Sequence, residues 1–598
     1  PILDVPGAAN QPIQQIIQFL YSDRPHAEIL DIDTAAAERV PGVADILSYK
    51  NVEPVLHTTA GQGYPEPSPY DSCLFDRRMR FVGDRIACVA AETRAAAEEA
   101  AALIKVDYKD LPAVFDAEKA MDGESPRLHG EDDYAPIPVV YRPEENLAAE
   151  VTFSFGDIAA GEAEADFIEE ADYTMQYASH CALEPHCCSA YMDEYGRTVI
   201  VTATQVPFHA RRIAAAVCGI PTGMVRVIKP RVGGGFGGKQ EVLLEPVAAL
   251  IVQRTGRAVE LRMTREEVFT SSRTRHAMRS RIRAAFTRDG TITALQVDDL
   301  LNAGAYGSHA LTVLSNAGSK VLPLFNKIPN VSFTGRSVYT NLPVGGAYRG
   351  YGATQGYFAL NQHIDMICRK TGQDILEYIK KHHIRAGETS QVFKALGEGK
   401  EGVDQIIRSC ALDECIDRGA AAIGWYAKRG KQHRAGSRVR GVGMAVSMQG
   451  SGIPQIDLAS VSMKMNEDGS FNLLTGATDI GTGSDTVLAQ IAAETLTVPY
   501  DAIHVLSSDT DITPFDVGAY ASSTTYVTGT AVRLCAEKIR EQILESAAAM
   551  LEADRKELTA DGGKVRHLRS GDSVDFGDIC IHRMYSADLH QIQASASY

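Results

Sequence analysis

Four segments rich in glycine, serine and threonine, each directly before a predicted helix, constrain the fold of this chain more than any other feature. A helix start offers unpaired N–H groups and a positive dipole end, which stabilise an anion by about 0.3–1 kcal/mol. Four such segments suit one long polyanionic ligand, although glycine at any single strand-to-helix junction is ordinary in a mixed α/β chain. The segments are "KPRVGGGFGGKQE" (229–241), "GGAYRGYGATQG" (345–356), "TGATDIGTGSDT" (475–486) and "GAYASSTTYVTGTA" (518–531).

The first segment satisfies two phosphate-binding patterns, and both fit poorly. Residues 233–238 match GxGxxG, and with Lys239 they also match GxxxxGK. A P-loop continues with Ser or Thr to hold Mg²⁺, whereas Gln240 follows here. A dinucleotide fold places an acidic residue about 20 positions on. Glu260 is in range but lies in a charged stretch where acidic residues are common, so neither nucleotide interpretation is favoured.

Length and charge exclude several classes of protein. A chain of 598 residues is too long for one core and indicates several domains. The net charge of −17 argues against nucleic acid as the main partner. We interpret the basic stretch at 426–440 as a solvated loop. No apolar run approaches the roughly 18 residues of a membrane helix.

The cysteines and the first residues suggest a compartment. The 11 cysteines include no CxxC spacing, which disfavours a disulfide framework, a zinc site or an iron–sulfur cluster in this chain. The first residues show no basic region followed by an apolar one, so we expect no signal peptide. A reduced, cytoplasmic chain is the simplest prediction.

Hydrophobic periodicity predicts a mixed α/β fold in which strands feed the four segments. Residues 80–92 predict a buried strand, and 93–108 predict an alanine-rich helix running into another strand. Residues 240–256 predict a helix that stops at Gly256. Further helices are predicted after each of the other three segments.

The four segments together resemble the cofactor loops of the molybdenum hydroxylases, the family of xanthine dehydrogenases, aldehyde oxidoreductases and N-heterocycle hydroxylases. The resemblance rests on the segments "GGGFGGKQ", "GAYRGYGATQG", "DIGTGSDTVLAQIAAE" and "ASSTTYVTGTA". A fifth segment, "RFVGDRIACVAAE", resembles the family's α/β hammerhead domain. The resemblance implies a hammerhead domain at 1–120, a linker at 121–150 and a two-part molybdopterin-binding domain at 151–388 and 389–598. The second part lacks the family's C-terminal segment.

The resemblance also implies which residues face the cofactor. Gln205, in "ATQVP", and Arg349 match side chains beside the molybdenum, and Phe236 matches a position whose backbone amide lies near a metal oxygen. The pterin holds the metal, so no direct protein ligand is expected. The cytosine dinucleotide form is usual in bacterial relatives. The implied cofactor residues are Gln205, Gly235, Phe236, Gly237, Arg349, Gly481, Thr482, Gly483, Ala521, Ser522 and Ser523.

The implied reaction is hydroxylation of an electron-poor carbon with oxygen from water. In the family a glutamate after a G-x-G-E turn acts as general base, and no residue matches it here. Glu398, in "ALGEG", lacks the first glycine and is not assigned. We therefore expect the glutamate from a second molybdenum-domain subunit or from chain beyond this sequence. Electrons would leave through [2Fe–2S] clusters and FAD on partner subunits.

Four residues are candidates for contact with a small aromatic substrate. Gln240 stands where mammalian-type xanthine oxidoreductases carry glutamate, and an amide can both donate to and accept from a ring edge. Tyr351 matches an aromatic side chain that sandwiches a flat ring. Ser447 is a plausible pocket hydroxyl, and Lys320 lies near the place of an arginine, although a lysine offers only a point charge.

Three functions remain open from the sequence. The first is a subunit that hydroxylates a xanthine-, purine- or nicotinate-like ring. The second is an aldehyde oxidoreductase subunit, and the third is a non-catalytic scaffold that binds cofactor. The absence of a cysteine-bearing loop in "AYRGYG" disfavours carbon monoxide dehydrogenase. We interpret His209, His309, His382 and His383 as satisfied or surface histidines rather than metal ligands.

Overall fold

The computed structural model describes residues 12–130, 139–397, 401–431, 433–586 and 589–598. Strands and helices are mixed along the whole chain, and three sheets of four or more strands carry most of the described core. The α/β class predicted from periodicity is confirmed. Glu398 lies outside the described residues.

The N-terminal part is built around short strands and one capped helix. Thr93 caps that helix by accepting a hydrogen bond from Ala96 N, and the helix buries its alanine face. The strands are β1 (Gln15–Tyr21), β2 (Ala27–Asp33), β3 (Val43–Ser48), β4 (Arg78–Met79), β5 (Arg85–Ala91) and β6 (Lys105–Asp110); the helices are α1 (Arg94–Leu103) and α2 (Ala117–Ala120).

The middle part contains the longest strands and the first two glycine-rich segments. Its strands are β7 (Val140–Arg142), β8 (Leu147–Phe155), β9 (Phe167–Met175), β10 (Ala178–Ser179), β11 (Cys187–Met192), β12 (Thr198–Thr202), β13 (Val225–Ile228), β14 (Val259–Arg262), β15 (Thr274–Arg275), β16 (Met278–Phe286), β17 (Ile292–Gly304) and β18 (Asn330–Tyr339). Its helices are α3 (Ile158–Glu164), α4 (Pro207–Val217), α5 (Glu245–Thr255), α6 (Arg265–Ser271), α7 (Ala310–Ser319), α8 (Ala353–Thr371), α9 (Ile375–His382) and α10 (Gln391–Ala395).

The C-terminal part contains the other two glycine-rich segments. Its helices are α11 (Leu412–Ile423), α12 (Trp425–Lys428), α13 (Ser484–Leu496), α14 (Val527–Met550) and α15 (Phe576–Tyr585). Its strands are β19 (His433–Ala435), β20 (Arg438–Arg440), β21 (Ser460–Met465), β22 (Phe471–Thr475), β23 (Ile503–Ser507), β24 (Leu558–Asp561), β25 (Lys564–His567), β26 (Ser573–Asp575) and β27 (Gln593–Ser597).

A seven-stranded sheet joins the N-terminal and middle parts. Its order is β13-β12-β11-β14-β1-β5-β3, and β1 pairs with β14 in parallel and with β5 antiparallel. Helices α4 and α5 cover this sheet with a buried core of Val, Ile and Leu. Backbone hydrogen bonds therefore cross the linker that the sequence predicts at 121–150, and the predicted division at residue 120 stays a prediction.

Two further sheets carry the remaining loops. The order β7-β8-β18-β17-β16-β9 forms a six-stranded sheet, against which α7 and α8 pack. The order β23-β22-β21-β27 forms a four-stranded sheet covered by α13 and α14. Because α8, α13 and α14 begin at glycine-rich segments, each sheet positions one or more of these segments at its edge.

The predicted helices are present, with one difference at the first segment. Helix α5 ends at Gly256, as predicted, but it begins only at Glu245, with Pro246 in its first turn. Residues 238–240 instead form a single 3₁₀ turn. The dipole of α5 therefore does not act directly on this segment, in contrast to the sequence-based expectation. No helix in the described part of the chain is long and apolar enough to span a bilayer.

Candidate functional site

A cavity of about 930 Å³ brings all four glycine-rich segments together, although they are distant in sequence. Twelve of the residues implied by sequence line it: Gln205, Gly235, Phe236, Gly237, Gln240, Lys320, Arg349, Tyr351, Gly481, Thr482, Ala521 and Ser522. Gly483 and Ser523 are not among the lining residues. Ser447 lies in a neighbouring groove of about 1290 Å³, which shares Arg349 with the cavity.

The charge of the cavity wall is opposite in sign to that of the chain. Lys320 and Arg349 line it, and none of its described lining residues is Asp, Glu or His. Neither cation has a hydrogen bond or an ion pair from its side chain within the described part of the structure. Two free cations without a nearby carboxylate suit an anionic ligand.

Gln205 connects the first segment to the fourth. Its Oε1 accepts a hydrogen bond from Gly237 N at 2.9 Å, and its Nε2 donates to Ala519 O at 2.6 Å. Gly235 leaves room for this side chain, because a Cβ atom at residue 235 would lie 2.5 Å from Gln205 Oε1 and force the amide to move. The side chain is buried, so its hydrogen bonds fix the distance between the two segments.

Non-glycine residues in the left-handed region cluster at the cavity. Phe236, Tyr351, Ala521 and Ser522 have φ of 56°, 43°, 50° and 55°. Such conformations cost on the order of 1–3 kcal/mol each and persist only where the surrounding structure enforces them. Their concentration in one cavity wall is the backbone signature of a functional site.

Lys239 is not available to a phosphate. Its Nζ lies 2.6 Å from Glu184 Oε2, and its side chain is 1% exposed. Glu184 Oε2 also accepts a hydrogen bond from Gly233 N at 2.8 Å. The lysine therefore fastens the first segment to its neighbour, which removes the remaining support for a P-loop.

The third segment uses some of its amides internally. Asp479 Oδ1 accepts hydrogen bonds from Gly481 N at 2.8 Å and Gly483 N at 3.2 Å. Burial would raise the pKa of Asp479, but these N–H groups and Lys229 outweigh it, so the pKa lies below its ordinary value. These two amides therefore point to a carboxylate, and not to a phosphate as the sequence suggested.

Ser484, which directly follows Gly483, offers a hydrogen-bonding group that no atom among the described residues occupies. It begins α13 and lines the cavity, and its buried hydroxyl has no hydrogen-bond partner in the described structure. An orphaned buried hydroxyl costs free energy unless a ligand satisfies it.

Sequence analysis missed several lining residues. Gln62 comes from the N-terminal part, where "AGQGYPEP" offered a weak glycine signal, and a Cβ on Gly61 would lie 2.6 Å from Gln240 O. Asn316 and Ser484 lie in helices, and Tyr520 directly precedes the identified Ala521. No periodicity or motif distinguishes these residues before the fold is known.

Three of the four histidines considered above as possible metal ligands contact other side chains of the protein. His383 Nε2 lies 2.8 Å from Asp413 Oδ1, and His209 Nδ1 lies 3.1 Å from Arg212 Nη2. His382 packs against the ring of Tyr378 at 4.3 Å. Within the described ranges, no group of three or more His, Cys, Asp or Glu is placed to hold a metal.

Family models match most of the chain. The aldehyde oxidase and xanthine dehydrogenase a/b hammerhead domain matches residues 9–112, and molybdopterin cofactor-binding domains match 140–382 and 418–598. The "Putative xanthine dehydrogenase molybdenum-binding subunit XdhA" of Escherichia coli K12 is 34% identical over 557 residues, covering 92% of this chain and 71% of that protein. The chain belongs to the xanthine dehydrogenase and aldehyde oxidase family. The resemblance and the hammerhead domain predicted from sequence are confirmed.

Two further members of this family show how much of a relative the chain represents. It is 39% identical over 590 residues to the "Probable hypoxanthine oxidase XdhD" of Escherichia coli K12, covering 94% of this chain but 61% of that protein. The crystal structure of quinoline 2-oxidoreductase from Pseudomonas putida 86 superposes with a TM-score of 0.84 at 26% identity, covering 98% of this chain and 75% of that one. The chain therefore spans about three fifths of its first relative.

The cavity fits molybdopterin, the cofactor after which the two matching binding domains are named. A molybdopterin is elongated, carries phosphate and brings sulfur ligands for its own metal. The unpaired Lys320 and Arg349 and the orphaned hydroxyl of Ser484 match its anionic oxygens.

Proposed function

We propose that the chain is the molybdopterin-binding subunit of a hydroxylase that oxidises an N-heteroaromatic substrate of the xanthine, purine or nicotinate type. One observation carries the proposal. Four glycine-rich segments, distant in sequence, meet at a single cavity whose only charged lining residues in the described structure are the two free cations Lys320 and Arg349. The −17 charge of the chain makes such a wall unexpected unless it binds an anion.

The residues proposed to hold the cofactor act through hydrogen bonds and charge. Lys320, Arg349 and Ser484 would bind phosphate or other anionic oxygens, and Gln205 would hold the first and fourth segments apart at a fixed distance. A cytosine dinucleotide form is the proposed variant. When bound, the molybdenum centre supplies two-electron oxidation of the substrate with oxygen from water.

Gln240 is proposed to recognise the substrate ring. The residue is buried, yet it lines the cavity, and its side chain makes no hydrogen bond to the rest of the described structure. An amide can donate to one ring atom and accept from the next, which suits the alternating edge of a purine or a pyridine. An aldehyde offers no such edge. Tyr351 would stack against the same ring.

The proton acceptor is proposed to come from outside the described lining. A general base must lie within hydrogen-bond reach of its proton, and no carboxylate or imidazole among the described residues lines the cavity. We assign this role to a glutamate from a second molybdenum-domain subunit or from further chain. Partner subunits with [2Fe–2S] clusters and FAD would remove the electrons.

The proposed location is the cytoplasm. All 11 cysteines are free thiols, which suits a reducing compartment.

Replacement of Gln240 separates the proposed activity from its main alternative. In the assembled enzyme, Gln240→Ala should lower kcat/KM for xanthine or nicotinate by about tenfold or more, because the variant loses the hydrogen bonds to the ring. A tenfold loss corresponds to about 1.4 kcal/mol of transition-state stabilisation. It should leave the oxidation of acetaldehyde unchanged. Turnover of acetaldehyde without turnover of xanthine or nicotinate by the wild type would favour an aldehyde oxidoreductase, and an equal loss for both substrates in the variant would indicate a structural role of Gln240.

A scaffold without catalysis is the second alternative, and the carboxylate-free lining favours it. It predicts stoichiometric molybdenum without turnover, even when the natively purified assembly contains every partner subunit. Turnover of xanthine or nicotinate by that assembly would exclude it.

A further inference from the structure

The hydroxyl group of Tyr351 is surrounded by three polar side chains. Its oxygen lies 2.5 Å from His309 Nδ1, 2.6 Å from Thr312 Oγ1 and 2.8 Å from Gln62 Oε1. A phenol has one proton to donate and two lone pairs to accept with. The three contacts therefore occupy the hydroxyl, and Tyr351 presents its ring, not its oxygen, to a ligand in the cavity.

The backbone at this position needs such anchors. Tyr351 has φ of 43°, and its neighbours Gly350 and Gly352 have φ of 92° and 87°. Three consecutive residues in the left-handed region form a turn that an aromatic side chain rarely occupies. The hydrogen bonds to the hydroxyl group hold the Tyr351 side chain in place, although the backbone of this residue is in an unfavourable conformation.

A buried pair lies behind the tyrosine. His309 Nε2 is 3.3 Å from Glu241 Oε1, a close charge contact that lacks hydrogen-bond alignment, and both side chains are within 1% of full burial. Ser308 Oγ and Thr59 Oγ1 each donate to Glu241 at 2.7 Å. Arg273 Nε lies 3.4 Å from the same carboxylate.

The charge states of Glu241 and His309 and the single proton of Tyr351 decide which atoms donate the hydrogen bonds between them. Burial lowers the pKa of His309. Burial would raise the pKa of Glu241, but the positive charge of Arg273 and the hydrogen bonds from Thr59 and Ser308 act against it, and the pKa lies below its ordinary value. Tyr351 donates its one proton to Gln62 Oε1, so the 2.5 Å contact with His309 requires Nδ1 to carry the imidazole proton and donate it to the Tyr351 oxygen.

We propose that His309 is a positioning residue that fixes the Tyr351 ring as a flat platform for a heteroaromatic substrate. The proposal rests on the function proposed above and deepens it, because it says what makes the cavity select planar rings. His309 does not line the cavity and contacts no ligand; it acts through the Tyr351 hydroxyl.

The test compares four variants of the natively purified protein. His309→Ala removes the anchor, whereas His309→Asn places an amide near the position of Nδ1. Tyr351→Phe keeps the ring and removes the hydroxyl. His383→Ala is the matched control, since His383 is another fully buried histidine paired with an acid, Asp413, away from the cavity. Two readouts are required: the Tyr351 side-chain conformation in crystal structures, and the Kd for xanthine and for nicotinate by calorimetry without electron acceptor.

Loss of the anchor should free one aromatic side chain that binding must then immobilise, which weakens binding by about 2- to 10-fold. We therefore expect His309→Ala and Tyr351→Phe to raise the Kd by that factor and to shift or disorder the ring. His309→Asn should restore most of the affinity, and His383→Ala should change only thermal stability. Molybdenum content should stay at the wild-type value in all four.

An unmoved ring in His309→Ala would overturn the proposal, and so would an unchanged Kd with a displaced ring. Failure of the wild type to bind either heteroaromatic probe would overturn it as well. Failure of the proposed function itself is distinguishable, because it appears already in the wild type, as protein that lacks molybdenum or that contains molybdenum but does not oxidise xanthine or nicotinate.

Discussion

Gln205 Oε1 accepts a hydrogen bond from Gly237 N at 2.9 Å, and through this contact a strand-end glutamine fixes the position of a glycine-rich segment 32 residues away. The other end of the same amide donates to Ala519 O at 2.6 Å. The side chain of Gln205 and its backbone, which donates to Lys239 O and accepts from Ala519 N, together set the separation of two walls of the cavity. The cofactor site depends on this separation, because the walls belong to segments that no local sequence holds together.

Gln205→Ala should deplete the protein of molybdenum. The variant leaves Gly237 N–H and Ala519 C=O without their partner, at a cost of about 1–3 kcal/mol for each buried group. We expect molybdenum per chain, measured by plasma mass spectrometry, to fall several-fold. Gln205→Glu is a second variant that keeps an acceptor for Gly237 N but loses the donor to Ala519 O and adds a negative charge. It should therefore be depleted of molybdenum too. Wild-type molybdenum in both variants would contradict the assigned role.

Gly235→Ala should disturb the same contact by overpacking. Its Cβ atom would lie 2.5 Å from Gln205 Oε1, and overpacking of this kind costs about 1–3 kcal/mol. Gly223→Ala is the control, because a Cβ there meets nothing within 4 Å. Thermal unfolding should show a lower Tm for Gly235→Ala alone. Equal Tm values for the two variants would show that the Gln205 side chain can give way without cost.

Breaking the buried pair of Lys239 and Glu184 should destabilise the first segment. Glu184→Gln leaves a lysine that is 1% exposed without a counter-charge, which costs about 3–5 kcal/mol for a buried pair. The double variant Glu184→Gln, Lys239→Met removes the uncompensated charge and should recover most of this free energy. Denaturant unfolding measures both. A double variant no more stable than Glu184→Gln would count against the pair as the cause.

Glu66 should make the stability of the protein depend on pH. The carboxylate is buried behind Gln62, and burial raises its pKa from 4.5 to about 8 despite hydrogen bonds from Gln62 N and Gly63 N. The protonated form is thus favoured in the folded state. The stability this contributes is fully present below pH 4.5 and is lost as pH rises through about 8.

Glu66→Gln copies the protonated form and should flatten this dependence. The free energy of unfolding of the variant, relative to wild type, should rise between pH 5 and pH 8, at about 1.4 kcal/mol per pH unit at most. Urea unfolding at a series of pH values measures the difference. Parallel curves for variant and wild type would show that Glu66 is ionised in the folded protein.

The sequence predicted the segments better than it predicted their contacts. The resemblance of the glycine-rich segments to the family's cofactor loops identified Phe236, Tyr351 and Ala521, and all three line the cavity with φ in the left-handed region. It could not show that Asp479 already occupies the amides of Gly481 and Gly483, since that depends on how one short loop folds back on itself.

Long-range pairing explains the other omissions. Gln62 reaches the cavity because Ala60, two residues before it, pairs with Glu241 in an antiparallel bridge, and no local pattern encodes that pairing. His309 was interpreted from sequence as a satisfied histidine, and its partners Tyr351 and Glu241 lie 42 and 68 positions away. Only these distant partners distinguish a positioning residue from a histidine that merely packs in the core.

The most direct test of the account is the molybdenum content of the natively purified wild-type protein, produced in cells that make the pterin cofactor. Plasma mass spectrometry should give close to one molybdenum atom per chain, and Gln205→Ala prepared in parallel should give several-fold less. A folded wild-type protein that contains no molybdenum under these conditions would contradict the proposal that the cavity holds a molybdopterin.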